Sequence, residues 1–324
     1  MTEKELDLEE LSVRWGSAAS EVMQDYPSLI YSLPDIEGAM AYRIINGYAI
    51  VFGDPLCPDE SLEVLMESFT SYCKSKKLEQ IFVITSEKFS QWAINEQYFR
   101  IMIDVCEELI LDPFADVFGH SSKLKARANH AIRNGLEVKE YLSDDKKIEA
   151  AITRVGVLWR RGRHGPQIHL GHLNFFEKKL GKRWFYVEQS NKVIAMAMLC
   201  KMEKYNGWFL KFLLTIPNAD KHTSELLMNV ILEKLKNEHC HYLSGGMVPI
   251  NSIERTYGLT PFSQWAIKII FKIIKWVFKL EQRKAYWLRY HPTVKPSYVL
   301  FSSSKFDLKQ LTALLKSFQI DKQR

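Results

Sequence analysis

The sequence predicts an α/β protein made of two similar units, and three observations carry that prediction. The order hairpin, strand, helix, strand occurs twice along the 324 residues. The strand segments are short apolar or alternating runs, whereas the segments between them space apolar side chains three and four residues apart. Apolar residues make up 47% of the chain and aromatic residues 12%, which supplies material for buried cores and argues against disorder. No low-complexity linker divides the chain, so the units 1–142 and 143–324 are drawn from the pattern alone.

Met40 to Phe52 reads as a hairpin turning at Asn46-Gly47, a strong two-residue turn signal, and Gly53-Asp54-Pro55 ends its second strand. Glu60 to Lys76 is a helix with Asp59 or Ser61 near its N-cap and Leu62, Leu65, Met66, Phe69 and Tyr72 as its apolar positions. Gln80 to Thr85 is a short buried strand, Ser86 to Glu96 a helix and Glu107 to Leu111 a further strand. Lys123 to Asn134 is a basic helix, closed by Gly135 where helices often take a left-handed residue. Leu136 to Tyr141 is the strand that leads into the second unit. There Asp144 to Arg160 is helical, Trp184 to Gln189 pairs with Lys192 to Met202, and Trp208 to Thr215 is a third strand. Ser224 to Asn237 is an amphipathic helix, and His241 to Ser244 is a strand ended by Gly245-Gly246. Tyr298 to Phe301 is the last strand and Leu308 to Phe318 the last helix.

Charge and cysteine usage narrow the function class. The formal charge of +6 is compatible with an RNA or anionic-lipid partner and diagnostic of neither. Lys123, Lys125, Arg127, His130 and Arg133 form one cationic cluster; Arg160, Arg161, Arg163 and His164 form another. Taken singly, each reads first as a solvated helix face. Five scattered cysteines without a CxxC pair favour free thiols in a reducing compartment. The acidic, amphipathic start is not a secretory signal, and no run of about 18 apolar residues occurs. The expected location is therefore cytoplasmic, with any membrane association peripheral.

The segment Trp265 to Leu280 (WAIKIIFKIIKWVFKL) contains apolar residues and lysines only. On a helix, Lys268, Lys272, Lys275 and Lys279 fall in one stripe, and Arg283 extends it. A helix running 265–284 has two readings. It is a core helix with one solvated edge, or it lies in a membrane interface. In the second reading Trp265, Trp276 and the branched chains enter the acyl region while the lysines meet anionic headgroups.

Several residues stand out singly. His169 and His172 are three apart but have no Cys or acidic partner at metal spacing, so no metal site is expected; His172 remains a candidate general base. Lys211 sits in the middle of an apolar strand, where lysine is costly unless paired. Gly245-Gly246 brings backbone close to a ligand or makes a tight turn. Arg289, between Tyr286 and Tyr290, binds phosphate or forms a surface ion pair. Pro217 to Thr223 has no glycine-rich pyrophosphate loop, which disfavours an acyl-CoA cofactor.

VFGDP (Val51 to Pro55), KLKARANHAIRNGLEVKEY (Lys123 to Tyr141), LSGGMVPI (Leu243 to Ile250) and YWLRYHPTVKPSYVLF (Tyr286 to Phe301) follow one another along the chain, and by their order and spacing the stretch from about Ala41 to Phe301 resembles the catalytic C-terminal domain of bacterial phosphatidylglycerol lysyltransferases. VFGDP (Val51 to Pro55) resembles that family's Gly-Glu/Asp-Pro turn after the first hairpin. KLKARANHAIRNGLEVKEY (Lys123 to Tyr141) resembles its basic helix and following strand. Trp159 with Leu170-Gly171, the strand Ile194 to Met198, LSGGMVPI (Leu243 to Ile250) and YWLRYHPTVKPSYVLF (Tyr286 to Phe301) occur in the family's order.

The resemblance implies two tandem GNAT-like units with mixed central sheets. It also implies transfer of an aminoacyl group from aminoacyl-tRNA, a co-substrate with no further cofactor, to a phosphatidylglycerol-like hydroxyl. Transfer to a peptidoglycan-precursor peptide, as in Fem-type relatives, and a non-catalytic lipid- or RNA-binding derivative are the alternatives. Aminoacyl-tRNA and an anionic phospholipid surface are the expected partners, at the inner face of the cytoplasmic membrane. By this resemblance Lys211, His172 and Arg289 are the catalytic candidates. Lys123, Lys125, Arg127, Asn129, Arg133, Gly246 and Met247 are the substrate-binding ones, and Trp265, Lys268, Lys272, Lys275, Trp276 and Lys279 meet the membrane. The chain departs from the family where Lys211 replaces an acidic residue, Trp287 a lysine and Ser297 an arginine. An acid at the first of these positions would hold a lysyl ammonium, so its loss leaves the donor amino acid open.

Overall fold

The structure, a computed structural model, describes residues 7–23, 28–142, 144–162, 175–278 and 281–317. Two short helices open it, α1 (Leu8–Trp15) and α2 (Ala18–Met23). The first half continues through β1 (Leu29–Ser32), β2 (Ala39–Ile45), β3 (Tyr48–Phe52), α3 (Leu62–Ser75), β4 (Glu79–Ser86), α4 (Glu87–Asn95) and β5 (Ile101–Leu111). Next come α5 (Val117–His120), α6 (Ser122–Arg133), β6 (Leu136–Tyr141), α7 (Lys146–Arg161), β7 (Lys182–Gln189), β8 (Lys192–Met202) and β9 (Gly207–Thr215). The chain then runs through α8 (Thr223–Asn237), β10 (Leu243–Pro249), β11 (Thr256–Tyr257), α9 (Pro261–Phe278), α10 (Glu281–Trp287), β12 (Thr293–Phe301) and α11 (Leu308–Ser317).

Local chemistry sets most of these boundaries. Asn46 and Gly47 both have positive φ, 52° and 86°, as a two-residue hairpin turn with the sheet's twist demands. Ser86, Ser121 and Asp145 cap α4, α6 and α7 by accepting a hydrogen bond from a first-turn N–H. Gly135, just past the C-cap Asn134 of α6, has φ 76°.

All the strands among the described residues form one sheet, in the order β1-β2-β3-β4-β12-β5-β10-β9-β8-β7-β6, with β11 paired to β5. Only β3 with β4 and β9 with β10 run parallel; every other neighbouring pair is antiparallel. The arrangement therefore repeats. Three antiparallel strands end in a parallel partner, first as β1-β2-β3 with β4, then as β7-β8-β9 with β10. Each repeat is then extended by a strand from the other half of the sequence, β12 beside β4 and β5 beside β10. The units 1–142 and 143–324 stand as a proposal, with β5 and β12 crossing between them.

Helices cover both faces of each half. Phe69 of α3 and Phe89 of α4 pack with Phe82 on one side of the first half, while Ile267 of α9 and Ala313 of α11 pack with Ile81 and Phe301 on the other. In the second half, α6 and α8 bury Leu124, Ala128, Leu227 and Ile231 against one face, and α7 buries Ile152 and Val155 against the other. Several details differ from the sequence expectation: β5 and β12 begin earlier than expected, at Ile101 and Thr293. Gly245-Gly246 does not end a strand: β10 runs through both, and the register slips between Ser244 and Met247 as in a β-bulge. The helix expected over 265–284 begins earlier, at Pro261, and its described part ends at Phe278, with α10 beginning at Glu281.

Candidate functional site where β9 and β10 diverge

The second parallel pair is held at one end only. β9 and β10 share the register pairs Leu243↔Trp208 and Ser244↔Phe209 and no others, so the strands part beyond Ser244. Gly245 lies in the opening against the ring of buried Trp287, at ordinary van der Waals distance. Gly246 takes φ 87°, a conformation open to glycine, and its N–H donates to Ser244 Oγ at 3.2 Å.

Lys211 lies on β9 just past the last paired residue, its side chain only 4% exposed. Its ammonium donates to the backbone carbonyl of Glu21 at 3.1 Å and stands 3.3 Å from the same residue's carboxylate. Lys182 approaches that carboxylate at 3.7 Å. The N-terminal helix α2 thus supplies the compensation that a buried lysine needs.

An acidic interior lies nearby, and sequence reading assigned it no role. Glu108 on β5 is 8% exposed; its Oε1 accepts from Tyr242 Oη at 2.9 Å and Ser244 Oγ at 2.6 Å. Burial pushes its carboxyl up, and those two hydrogen bonds only partly offset the shift. Asp54, just past β3, accepts from Ser86 N–H at 2.8 Å and Ser86 Oγ at 2.6 Å. Burial raises Asp54 too, against the pull of Ser86, Lys204 and Lys88. Tyr205 stacks on Tyr242 with ring centroids 4.8 Å apart and planes 13° from parallel. Its hydroxyl is raised by burial and then by the charges of Asp54 and Glu108. The available signal is Glu108 itself, the carboxylate that directly precedes the apolar end Leu109 to Leu111 of β5.

Two sequence candidates meet on a different element. Glu225, in the first turn of α8, has a side chain 4% exposed and takes Arg127 Nη1 at 3.1 Å and Arg289 Nη1 at 3.2 Å on one oxygen. Arg289 also lies over the Tyr286 ring at 5.1 Å. Leu124, Ala128 and Ala131 face the core, which turns Lys123, Lys125, Asn129 and Arg133 of α6 outward to solvent. Met247 is half-buried and accepts a long contact from Ser297 Oγ at 3.6 Å. Trp287 and Ser297, which stand where cations were expected, are both buried.

Helix α9 is a surface helix. Ile267 is buried in the first-half core, whereas Phe262, Trp265 and Ile269 are 75%, 60% and 40% exposed. Lys268 and Lys272 are exposed on the adjoining strip. Lys275 and Trp276 fall within α9 at positions whose side chains lie outside the described residues; Lys279 and His172 lie outside them entirely. Among the described residues no helix is long and apolar enough to cross a membrane, and no group of three or more His, Cys, Asp or Glu could hold a metal.

A repeated unit of antiparallel strands ending in a parallel pair, with helices on both faces, defines the tandem GNAT class of acyltransferase-like proteins. The particular family follows from sequence: the chain belongs to the phosphatidylglycerol lysyltransferase C-terminal family, whose model matches residues 19–301. Solved structures share the fold. L-PGS from Bacillus licheniformis superposes with a TM-score of 0.78 at 14% identity, over 98% of this chain and 97% of that one. The C-terminal domain of a putative lysylphosphatidylglycerol synthetase from Agrobacterium fabrum gives 0.74 at 16% identity, over 93% and 91%. FemX gives 0.56 at 9% identity, over 97% and 98%. No curated protein sequence matches the chain.

Proposed function

We propose that this protein is an aminoacyltransferase that moves an aminoacyl group from aminoacyl-tRNA to a glycerolipid hydroxyl at an anionic membrane surface. Family membership supports the reaction class. The observation that carries the acceptor is the outer side of α9, where Phe262, Trp265 and Ile269 are exposed beside Lys268 and Lys272. Exposed aromatic rings next to two exposed lysines match a headgroup boundary, with rings entering the acyl region and ammoniums staying among phosphates. The donor reading draws on the outward cations of α6, Lys123, Lys125 and Arg133, which suit a phosphodiester backbone. An aminoacyl ester is already activated, so the protein's main task is to hold donor and acceptor together.

The test is a transfer assay with a set of radiolabelled aminoacyl-tRNAs, offering phosphatidylglycerol vesicles or a peptidoglycan-precursor peptide as acceptor. Label is expected in the lipid, and Lys268→Glu with Lys272→Glu should remove both vesicle co-sedimentation and lipid labelling. Label in the peptide alone would instead establish the Fem-type reaction. No transfer from any donor, or unchanged sedimentation of the charge-reversed variant, would overturn the proposal.

A further inference from the structure

We propose that α1 and α2 form a displaceable cover over the opening between β9 and β10, latched by Glu21 on Lys211. The inference is independent of the reaction proposed above. It rests on how residues 7–23 are attached to the rest of the chain.

The cover sits at the opening. Lys211 is the extra residue of a bulge in β9, since Met198 pairs with Phe212 and Leu199 with Leu210, and a bulge re-aims the side chain it carries. The Lys211 ammonium meets both the carbonyl and the carboxylate of Glu21, and α2 packs against β9, β10 and β3. Ala18 and Ala19 of α2 are buried. α1 fastens the same segment to both halves: Leu11 clusters with Ala39 and Leu56 of the first, and Glu9 stands 3.3 Å from Lys178 of the second. Anything that reaches Lys211 from this side has to move α2.

The attachment is weak for the surface it covers. Among the described residues, the backbone of 7–23 hydrogen-bonds to its own segment, as from Leu11 N–H to the Asp7 carbonyl and from Gly16 N–H to the Ser12 carbonyl. Its one backbone tie to the body is the Glu21 carbonyl that Lys211 reaches. The segment can therefore lift without breaking a strand or helix elsewhere. Ser12 is 3% exposed, and its hydroxyl has no hydrogen-bond partner among the described residues, which opposes docking. A cavity of about 150 Å³ is lined by Leu8 and Ser20 of the cover and by Met40, Val51 and Phe52 of the sheet, space that a tightly packed core would fill. Helices of eight and six residues do not persist alone, so the segment is either docked or unfolded.

The latch is a buried ion pair, with side chains 4% and 10% exposed. Desolvation of both charges offsets much of their attraction, and lifting the cover returns both to water. The pair thus fixes where α2 sits while adding little adhesion. A segment held in this way opens locally, ahead of global unfolding.

The test is hydrogen exchange of the full chain read by mass spectrometry, with lysine acylation by an N-hydroxysuccinimide ester as a second readout. In the wild type, amides of 8–21 should exchange at least about 100-fold faster than those of β7 and β8. Glu21→Gln penalises only the docked state, because an amide replaces the carboxylate beside a buried ammonium. It should speed exchange of 8–21 and acylation of Lys211 by a further factor of about 10 or more, the weight of one charged hydrogen bond, and leave β7 and β8 unchanged. Wild-type exchange of 8–21 at the rate of β7 and β8 would mean that the helices open only with the whole chain, and would overturn the proposal whether or not the variant folds. Equal acceleration of 8–21 and β8 in Glu21→Gln, or Lys211 acylation unchanged by it, would overturn it too.

Discussion

The two parallel strand pairs occupy equivalent places in the repeat and are built differently. β3 and β4 are in register over five consecutive pairs, Tyr48↔Glu79 to Phe52↔Val83, and the Asp54–Ser86 hydrogen bonds tie the chain together just beyond. β9 and β10 keep two pairs and then part around a buried lysine, two glycines and a tryptophan. The first junction closes with short-range hydrogen bonds of its own. The second depends on distant elements, α2 for its lysine and α10 for its tryptophan. A duplicated fold has thus kept one copy of its strand junction zipped and opened the other.

That contrast predicts unequal sensitivity. Lys211→Ala should cost about 3 kcal/mol, because it strands the buried Glu21 carboxylate with a single lysine at longer range. Urea denaturation of Lys211→Ala, Glu21→Gln and the double variant should give a coupling of about 1 kcal/mol or more. Additive effects would mean that α2 does not hold the open junction. Gly207→Ala should come next. A Cβ there would stand 2.5 Å from the Tyr242 carbonyl, at the end where β9 and β10 still pair, so one strand must shift at about 1–3 kcal/mol. A melting temperature equal to wild type would show that the paired end has slack.

Much of this architecture was legible in advance, for a physical reason. Hairpins, amphipathic helices and buried strands announce themselves through turn residues and side-chain period, so the Asn46-Gly47 turn, α3 and α8 were readable from local sequence. The site was readable only in pieces. Arg127 and Arg289 stand out as cations, but nothing local shows that Glu225 gathers both. Lys211 looked like a lysine in need of a partner, and its partner is 190 residues away. Gly245-Gly246 reads as a strand end because glycine signals turns, whereas here it lies at a bulge inside β10, with Gly246 at positive φ. Exchange of β5 and β12 between the halves is a matter of long-range pairing, to which no period in the sequence corresponds.

The subtlest effect separates the junctions by pH. Asp54 has its folded-state value raised by burial, so the folded chain binds that proton more tightly than the unfolded chain does. The associated stability is complete below the ordinary carboxylate range and is lost as pH rises from that range towards the raised value. Glu149, on α7 in the other half, runs the opposite way. Lys179, Lys146 and Tyr141 hold it down to about 2, so its contribution is present above the ordinary range and lost as pH falls towards 2. Asp54→Asn should therefore remove a loss of stability on the alkaline side of the carboxylate range, while Glu149→Gln should remove a loss on the acid side. Urea midpoints across both windows would show the two slopes vanishing separately. If Asp54→Asn left the alkaline slope in place, the tie at the closed junction would not be set by a buried carboxyl, and the contrast between the two strand pairs would rest on register alone.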